Sequence, residues 1–301
     1  MYFGSVKFFK HLIYLTMVLI LSGGALGIYT LSKELWGRYA LKTAGAAVTD
    51  VIVVEAPSPS PAEEPEETPE PVSFEQMPYQ SAYPELYTQR AEQLRRGTKT
   101  AYLTFDDGPS ARTLEILAIL KEHDVKATFF VLTKNSDPDI LKRIVEEGHA
   151  IGIHTHSHKY TEIYRSVEAY LADFQAAYDT IYRATAVKPG IFRFPGGSIN
   201  AYNRGIYQEL ISEMLRRGFL YYDWNISTMD TVPHIKPEMI VHNVTAAVED
   251  KDNLFILAHD SHDKKNTVKA LPEIITRLKD QGYVFEKIEN TVEPVVFAYP
   301  H

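Results

Sequence analysis

Two adjacent carboxylates, Asp106-Asp107, close an apolar run, AYLTF. Side by side at the end of a buried strand, two acids are costly unless a metal ion or hydrogen bonds hold them. The competing role is a turn and helix start, because Gly-Pro-Ser follows. Further along, His154, His156 and His158 fall within five residues. In an extended strand all three would share one face; in a tight loop or helical turn, His154 and His158 can aim at one ion. Two imidazoles and one carboxylate leave positions free for water and substrate, the layout of a catalytic rather than a structural metal site. Zinc is the default divalent ion; cobalt, nickel and iron use the same ligand types.

Three further clusters follow. Arg193, two residues before Pro195-Gly196-Gly197, sets a cation beside bare backbone, where glycine N–H groups can approach an oxyanion; an ordinary turn is the alternative. His259 ends the apolar run Leu254 to Ala258 and is a candidate proton donor, its free pKa being about 6.5. Between them, YYDWNISTMD offers Asp223, Trp224 and Asp230; Trp224 suits either a sugar-facing platform or the core.

These residues need a scaffold that brings them to one rim. From Lys99 onward, apolar runs alternate with amphipathic helices: KTAYLTF, ATFFVL, AIGIHT, GIFRF, FLYYDWN, NLFILAH and YVFEKI read as strands. TLEILAILKEH, DPDILKRIVEEG, SVEAYLADFQAAYDTIYRAT, RGIYQELISEMLRRG, PEMIVHNVTAAVED and TVKALPEIITRLKDQG read as helices, two of them stopped by Gly148 and Gly218. Strict alternation implies a parallel sheet with right-handed crossovers, and the short units favour a small closed or nearly closed barrel. In such folds function gathers where strands end, and the five polar clusters sit there.

The 301-residue chain has no cysteine, which removes thiolate chemistry, disulfides and Cys-bound zinc. Its net charge of −8 argues against nucleic acid as a partner. Residues 12–32, preceded by residues 1–11 with Lys7 and Lys10, are uncharged and long enough for a transmembrane anchor, with the N-terminus cytoplasmic and the catalytic part outside the cell membrane. A cleaved signal peptide is the alternative, but its apolar core is usually shorter. Residues 33–84 are rich in Pro and Glu and read as a disordered, self-repelling stalk. Residues 85–98 read as a lead-in helix, 99–290 as the folded domain and 291–301 as a tail.

TFDDG at 104–108, HTHSH at 154–158, FRFPGG, YYDWNISTMD and ILAHDS, in this order, resemble the signatures of the NodB homology domain of polysaccharide deacetylases, carbohydrate esterase family 4. The resemblance covers about Lys99 to Ile288. It implies a distorted (β/α)7 barrel and metal-dependent removal of N-acetyl groups from a glycan. It implies metal binding by Asp107, His154 and His158, with Asp106 as base, Arg193 holding Asp106, His259 as acid and Asp230 orienting His259. Gly196 stands where the family usually has an aromatic residue whose N–H faces the oxyanion, and Thr231 where it usually has Trp. Trp224, Leu257 and Pro195 would line the sugar groove, and His156 would be no ligand. With an anchor and stalk, the expected substrate is peptidoglycan N-acetylglucosamine or N-acetylmuramic acid, ahead of a chitin-like polymer. An O-acetyl esterase acting on a xylan-like polysaccharide and a non-catalytic glycan-binding module are the alternatives.

Overall fold

A computed structural model describes residues 76–299. The strands are β1 (Thr100–Asp106), β2 (Thr128–Leu132), β3 (Ala150–Thr155), β4 (Ile191–Phe192), β5 (Leu220–Tyr221), β6 (Ile226–Ser227), β7 (Asn253–His259) and β8 (Val284–Phe285). All pair in parallel, in the order β5-β4-β3-β2-β1-β7-β6, and β8 joins the foot of β1. β1 and β7 run in full register, from Thr100 opposite Asn253 to Asp106 opposite His259. Two polar residues predicted to cooperate are therefore strand neighbours.

The period-2 alternation explains the two cores. Residues such as Leu103, Phe105, Phe129, Ile153, Phe192 and Ile256 pack outward against the helices. Tyr102, Phe130, Ile191, Leu220, Tyr222 and Phe255 fill the inside of the curved sheet. Continuing the inner set up each strand reaches Asp106, His154, Arg193 and His259, so the alternation that fills the barrel also aims the polar residues at its mouth. Three of the helices begin at ordinary side-chain caps. Ser110 caps 111–122, Asp137 caps 138–146 with Pro138 behind it, and Ser166 caps 167–185.

Three expectations change. The fifth predicted strand, FLYYDWN (219–225), keeps only the two residues of β5, and an unpredicted short strand, β6, follows it, giving eight strands rather than seven. β5 and β6 do not pair with each other, so the (β/α)7-type barrel stays open there. The chain after residue 290, read as a tail, fills that gap: the Asp223 N–H donates to the Val295 carbonyl (2.9 Å) and the Phe297 N–H to the Asp223 carboxylate (2.7 Å).

Residues 85–98 are not helical; the short helix here is Pro78–Ser81. Arg217, fully buried at the end of helix 207–216, donates from its guanidinium to the carbonyls of Tyr79, Ala82, Tyr83 and Leu86 and so ties residues 79–86 to the folded domain. No described helix is long and apolar enough to cross a membrane. The expected anchor at 12–32 lies outside the described residues, as do residues 33–75 of the stalk; residues 76–84, read as stalk, belong instead to the folded part, with Tyr79 buried.

Candidate active site

Asp107, His154 and His158 converge at the mouth of the barrel, their ligand atoms all within 4.8 Å of one another. His154 rides on β3 and its Nδ1 donates to the Arg193 carbonyl (2.9 Å). A carbonyl only accepts, so the proton is on Nδ1 and the Nε2 lone pair faces Asp107. Burial lowers the His154 pKa to about 3, which keeps the ring neutral and able to ligate.

His158 lies past the end of β3, at φ 56°, and Asp107 just past β1, at φ 72°. Left-handed backbone at two of three ligand positions is costly for non-glycine residues and turns both side chains inward. Asp107 Oδ1 is buried without a hydrogen-bond donor, 3.5 Å from His154 Nε2 and 3.3 Å from His158 Nε2. An orphaned buried carboxylate oxygen facing two imidazole nitrogens fits a divalent cation. His156 stays out of this cluster, its Nδ1 paired with the Thr133 hydroxyl at 2.9 Å.

Asp106 and Arg193 form a buried pair, Nη1 to Oδ1 at 3.0 Å. The rest of the guanidinium is also spoken for, by the Thr104 hydroxyl (2.6 Å) and the Tyr222 and Asp223 carbonyls (2.8 and 2.9 Å). Its face lies over Phe130 and toward Trp224. Every polar edge is satisfied, as a buried cation requires. Burial pushes the Asp106 pKa up, and the Arg193 and His259 charges pull part of it back.

His259 Nδ1 is 2.7 Å from Asp230 Oδ1, and the His259 N–H donates to Oδ2 at 2.9 Å. The Thr267 hydroxyl completes the carboxylate (2.8 Å). Burial alone would lower the His259 pKa; the Asp230 hydrogen bond and charge, with Asp106 and Asp107, raise it to about 9. Asp223 does not compete for this place: its oxygens accept from the Ser198 N–H and hydroxyl and the Phe297 N–H.

A relative from Bacillus subtilis, YheN, is 38% identical over 210 residues, 66% of this chain and 70% of that protein. The family model described as polysaccharide deacetylase matches residues 93–214. The chain belongs to the polysaccharide deacetylase family. It is accordingly an enzyme, a polysaccharide deacetylase. A peptidoglycan-N-acetylglucosamine deacetylase from Bacillus cereus is 36% identical, over 66% of this chain and 73% of that protein. The crystal structure of the catalytic domain of peptidoglycan N-acetylglucosamine deacetylase from Eubacterium rectale superposes with a TM-score of 0.65 at 35% identity. It covers 70% of this chain and 98% of that one.

Around the deacetylase centre the remaining predicted residues take distinct places. Gly196 sits at φ 77° on the groove surface, and its N–H has no acceptor among the described residues. Pro195 is buried, its carbonyl held by the Tyr164 hydroxyl at 2.8 Å. Leu257 is buried on β7, two residues below His259. Trp224 is half-buried, edge-on to Phe297 with ring centres 4.8 Å apart, so it belongs to the packing as well as to the rim.

Sequence reasoning missed Asp173, whose two oxygens accept the N–H groups of His156 (2.6 Å) and Ser157 (3.0 Å) and so clamp the loop between the ligands. Nothing in the sequence separates it from other acids on a helix surface. Thr267 did carry a signal, being a polar residue within the buried stripe of helix 265–280.

Proposed function

We propose that this deacetylase hydrolyses N-acetyl groups on a cell-envelope glycan, peptidoglycan N-acetylglucosamine or N-acetylmuramic acid, releasing acetate. The observation that carries the reading is the placement of Asp106 and His259, neighbours on β1 and β7, beside the Asp107–His154–His158 cluster. A base and an acid beside a ligand cluster are what an amide needs, because the amine leaves only once protonated. The relatives named as acting on peptidoglycan support the glycan.

Bound to Asp107, His154 and His158, a divalent cation, zinc in the first place, supplies Lewis acidity toward the acetamide oxygen and the attacking water. Asp106, its basicity raised by burial, takes a proton from that water while Arg193 holds its other side in place. The water oxygen bonds to the carbonyl carbon and the C=O electron pair moves onto oxygen, toward which the Gly196 N–H points its hydrogen bond. His259 holds its ring through Nδ1 on Asp230, so Nε2–H faces the groove and gives its proton to the amide nitrogen as the C–N bond breaks.

Acetate release from peptidoglycan and from chitin oligomers by the full chain, with and without chelator, tests the reading. Higher kcat/KM on an O-acetylated xylan than on any acetamido sugar would replace the amide by an ester. No release from any of the three would leave a glycan-binding module. The uncharged run at 12–32 and the acidic stalk at 33–75 support a membrane-anchored enzyme with its site outside the cell. Resistance to carbonate extraction tests that, and a mature N-terminus near residue 26 would overturn it.

A further inference from the structure

Two residues past the ligand His158, Tyr160 stands with its ring edge-on to that imidazole, centres 5.2 Å apart and planes at 79°. On its other side the ring meets the Gly196 turn. A Cβ on Gly196 would lie 3.0 Å from Tyr160 Cε1 and 3.4 Å from its hydroxyl oxygen. Gly196 therefore has two reasons to be glycine, its left-handed φ of 77° and the phenol lying where a side chain would project.

The hydrogen bonds of this corner are nearly all assigned. The Pro195 carbonyl accepts from the Tyr164 hydroxyl and from Asn200 Nδ2, and the Gly197 N–H donates to the Phe194 carbonyl. Tyr164, one helical turn from Tyr160, thus uses its hydroxyl to brace the turn. Among the described residues, the Tyr160 hydroxyl and the Gly196 N–H are left without partners. A half-buried phenol usually finds an acceptor. Here two unpaired donors, on an exposed glycine and a half-buried phenol in contact with it, lie beside the ligand His158.

We propose that the Tyr160 hydroxyl is a second hydrogen-bond donor to the acyl oxygen of the substrate, paired with the Gly196 N–H. The inference rests on the deacetylase reading given above. The ligand is the acyl oxyanion: as the carbonyl carbon becomes tetrahedral, its oxygen gains charge and accepts one bond from each donor. The phenol keeps its proton throughout, so it polarises and does not titrate. Tyr160 also walls the acyl pocket from the His158 side. The bulk that residue 196 lacks is then supplied by a different loop.

Tyr160→Phe keeps the ring against His158 and Gly196 and removes only the hydroxyl. Loss of one oxyanion donor costs about 10²–10³-fold in kcat when the donor is fully buried, and this half-exposed phenol should give about 10- to 10²-fold. KM should stay within about threefold and bound metal at the wild-type ratio, which separates the donor from a packing role. As a reading independent of turnover, calorimetry of sodium acetate binding to the metal-loaded protein should show a Kd raised about fivefold or more by Tyr160→Phe. A variant that keeps wild-type kcat and wild-type acetate affinity overturns the proposal while leaving the deacetylase reading standing. A wild type that binds acetate more tightly than Tyr160→Phe but hydrolyses no acetamido sugar does the reverse.

Discussion

Replacing Asp230 by Asn removes the charge while the amide oxygen can still accept from His259 Nδ1; the amide NH2 cannot accept, so the His259 N–H loses its partner at Oδ2 as well. In the wild type, burial depresses the imidazole pKa, and the Asp230 hydrogen bond and charge lead the contributions that lift it from 6.5 to about 9. Without the Asp230 charge, burial has no comparable opponent and the pKa falls to 6.5 or below. At pH 7.5 a group titrating at about 9 is about 97% protonated, and one at 6.5 about 10%. The acid form of His259 is thus depleted about tenfold or more at pH 7.5, and less as pH falls. The assay is kcat against pH with metal content measured in parallel. The alkaline limb should move down by two pH units or more, with metal retained.

Folding stability should carry the same signature. A histidine whose folded pKa exceeds its free value stabilises the fold fully below about 6.5, and that stability is lost as pH rises through about 9. A shift of this size corresponds to on the order of 3 kcal/mol, for a side chain only 13% exposed. Denaturant midpoints between pH 6 and 9.5 should therefore fall in the wild type and stay flatter in Asp230→Asn. An alkaline limb that stays in place in Asp230→Asn, or one that moves in Asp223→Asn instead, refutes the assignment.

His154→Ala and His158→Ala should each lose stoichiometric metal together with activity, while His156→Ala, which gives up only the Thr133 bond, should keep most of both; metal analysis after gel filtration reads this. Asp106→Asn should retain metal and lower kcat by about 10²-fold or more, whereas metal loss in that variant would move Asp106 into the ligand set. Deleting residues 294–301 removes the Val295 and Phe297 bonds to Asp223 and the ring against Trp224. It should lower the Tm and raise KM, and an unchanged Tm would make the segment a tail after all.

Residues whose function is fixed by position along a strand were legible in the sequence. Asp106, His154, Arg193 and His259 end apolar runs, and a run that fills a barrel must deliver its last residue to the mouth. His158 was legible through its four-residue spacing from His154, which the left-handed φ at His158 converts into a shared target. Less legible was whatever depends on long-range pairing. FLYYDWN yields only the two-residue β5, and just past it the Asp223 N–H goes to the carbonyl of Val295, more than seventy residues away. The segment before Gly97 takes its bonds from distant partners: Arg217 for the carbonyls of residues 79–86 and the Thr88 N–H, Thr291 and Glu293 for the backbone of Arg95. Asp173 and Tyr160 were invisible for a related reason, each being defined by the loop it meets rather than by its own neighbours in sequence.

The geometry also explains why two acids stand side by side when only one is a ligand. Asp106 ends β1 facing the barrel interior, where Arg193 can reach it, and Asp107 turns the other way through its positive φ toward the imidazoles. One step of backbone separates the carboxylate held by Arg193 from the one that faces the two imidazoles. Burial raises the pKa of the first. On the neighbouring strand, the Asp230 hydrogen bond and charge raise the His259 pKa to about 9. Donor and acceptor of the two protons that the reaction moves are thus set apart by environment and brought together by a single register, Asp106 opposite His259. A one-residue slip of β7 against β1 would turn the imidazole out of the barrel and leave Asp230 with nothing to orient.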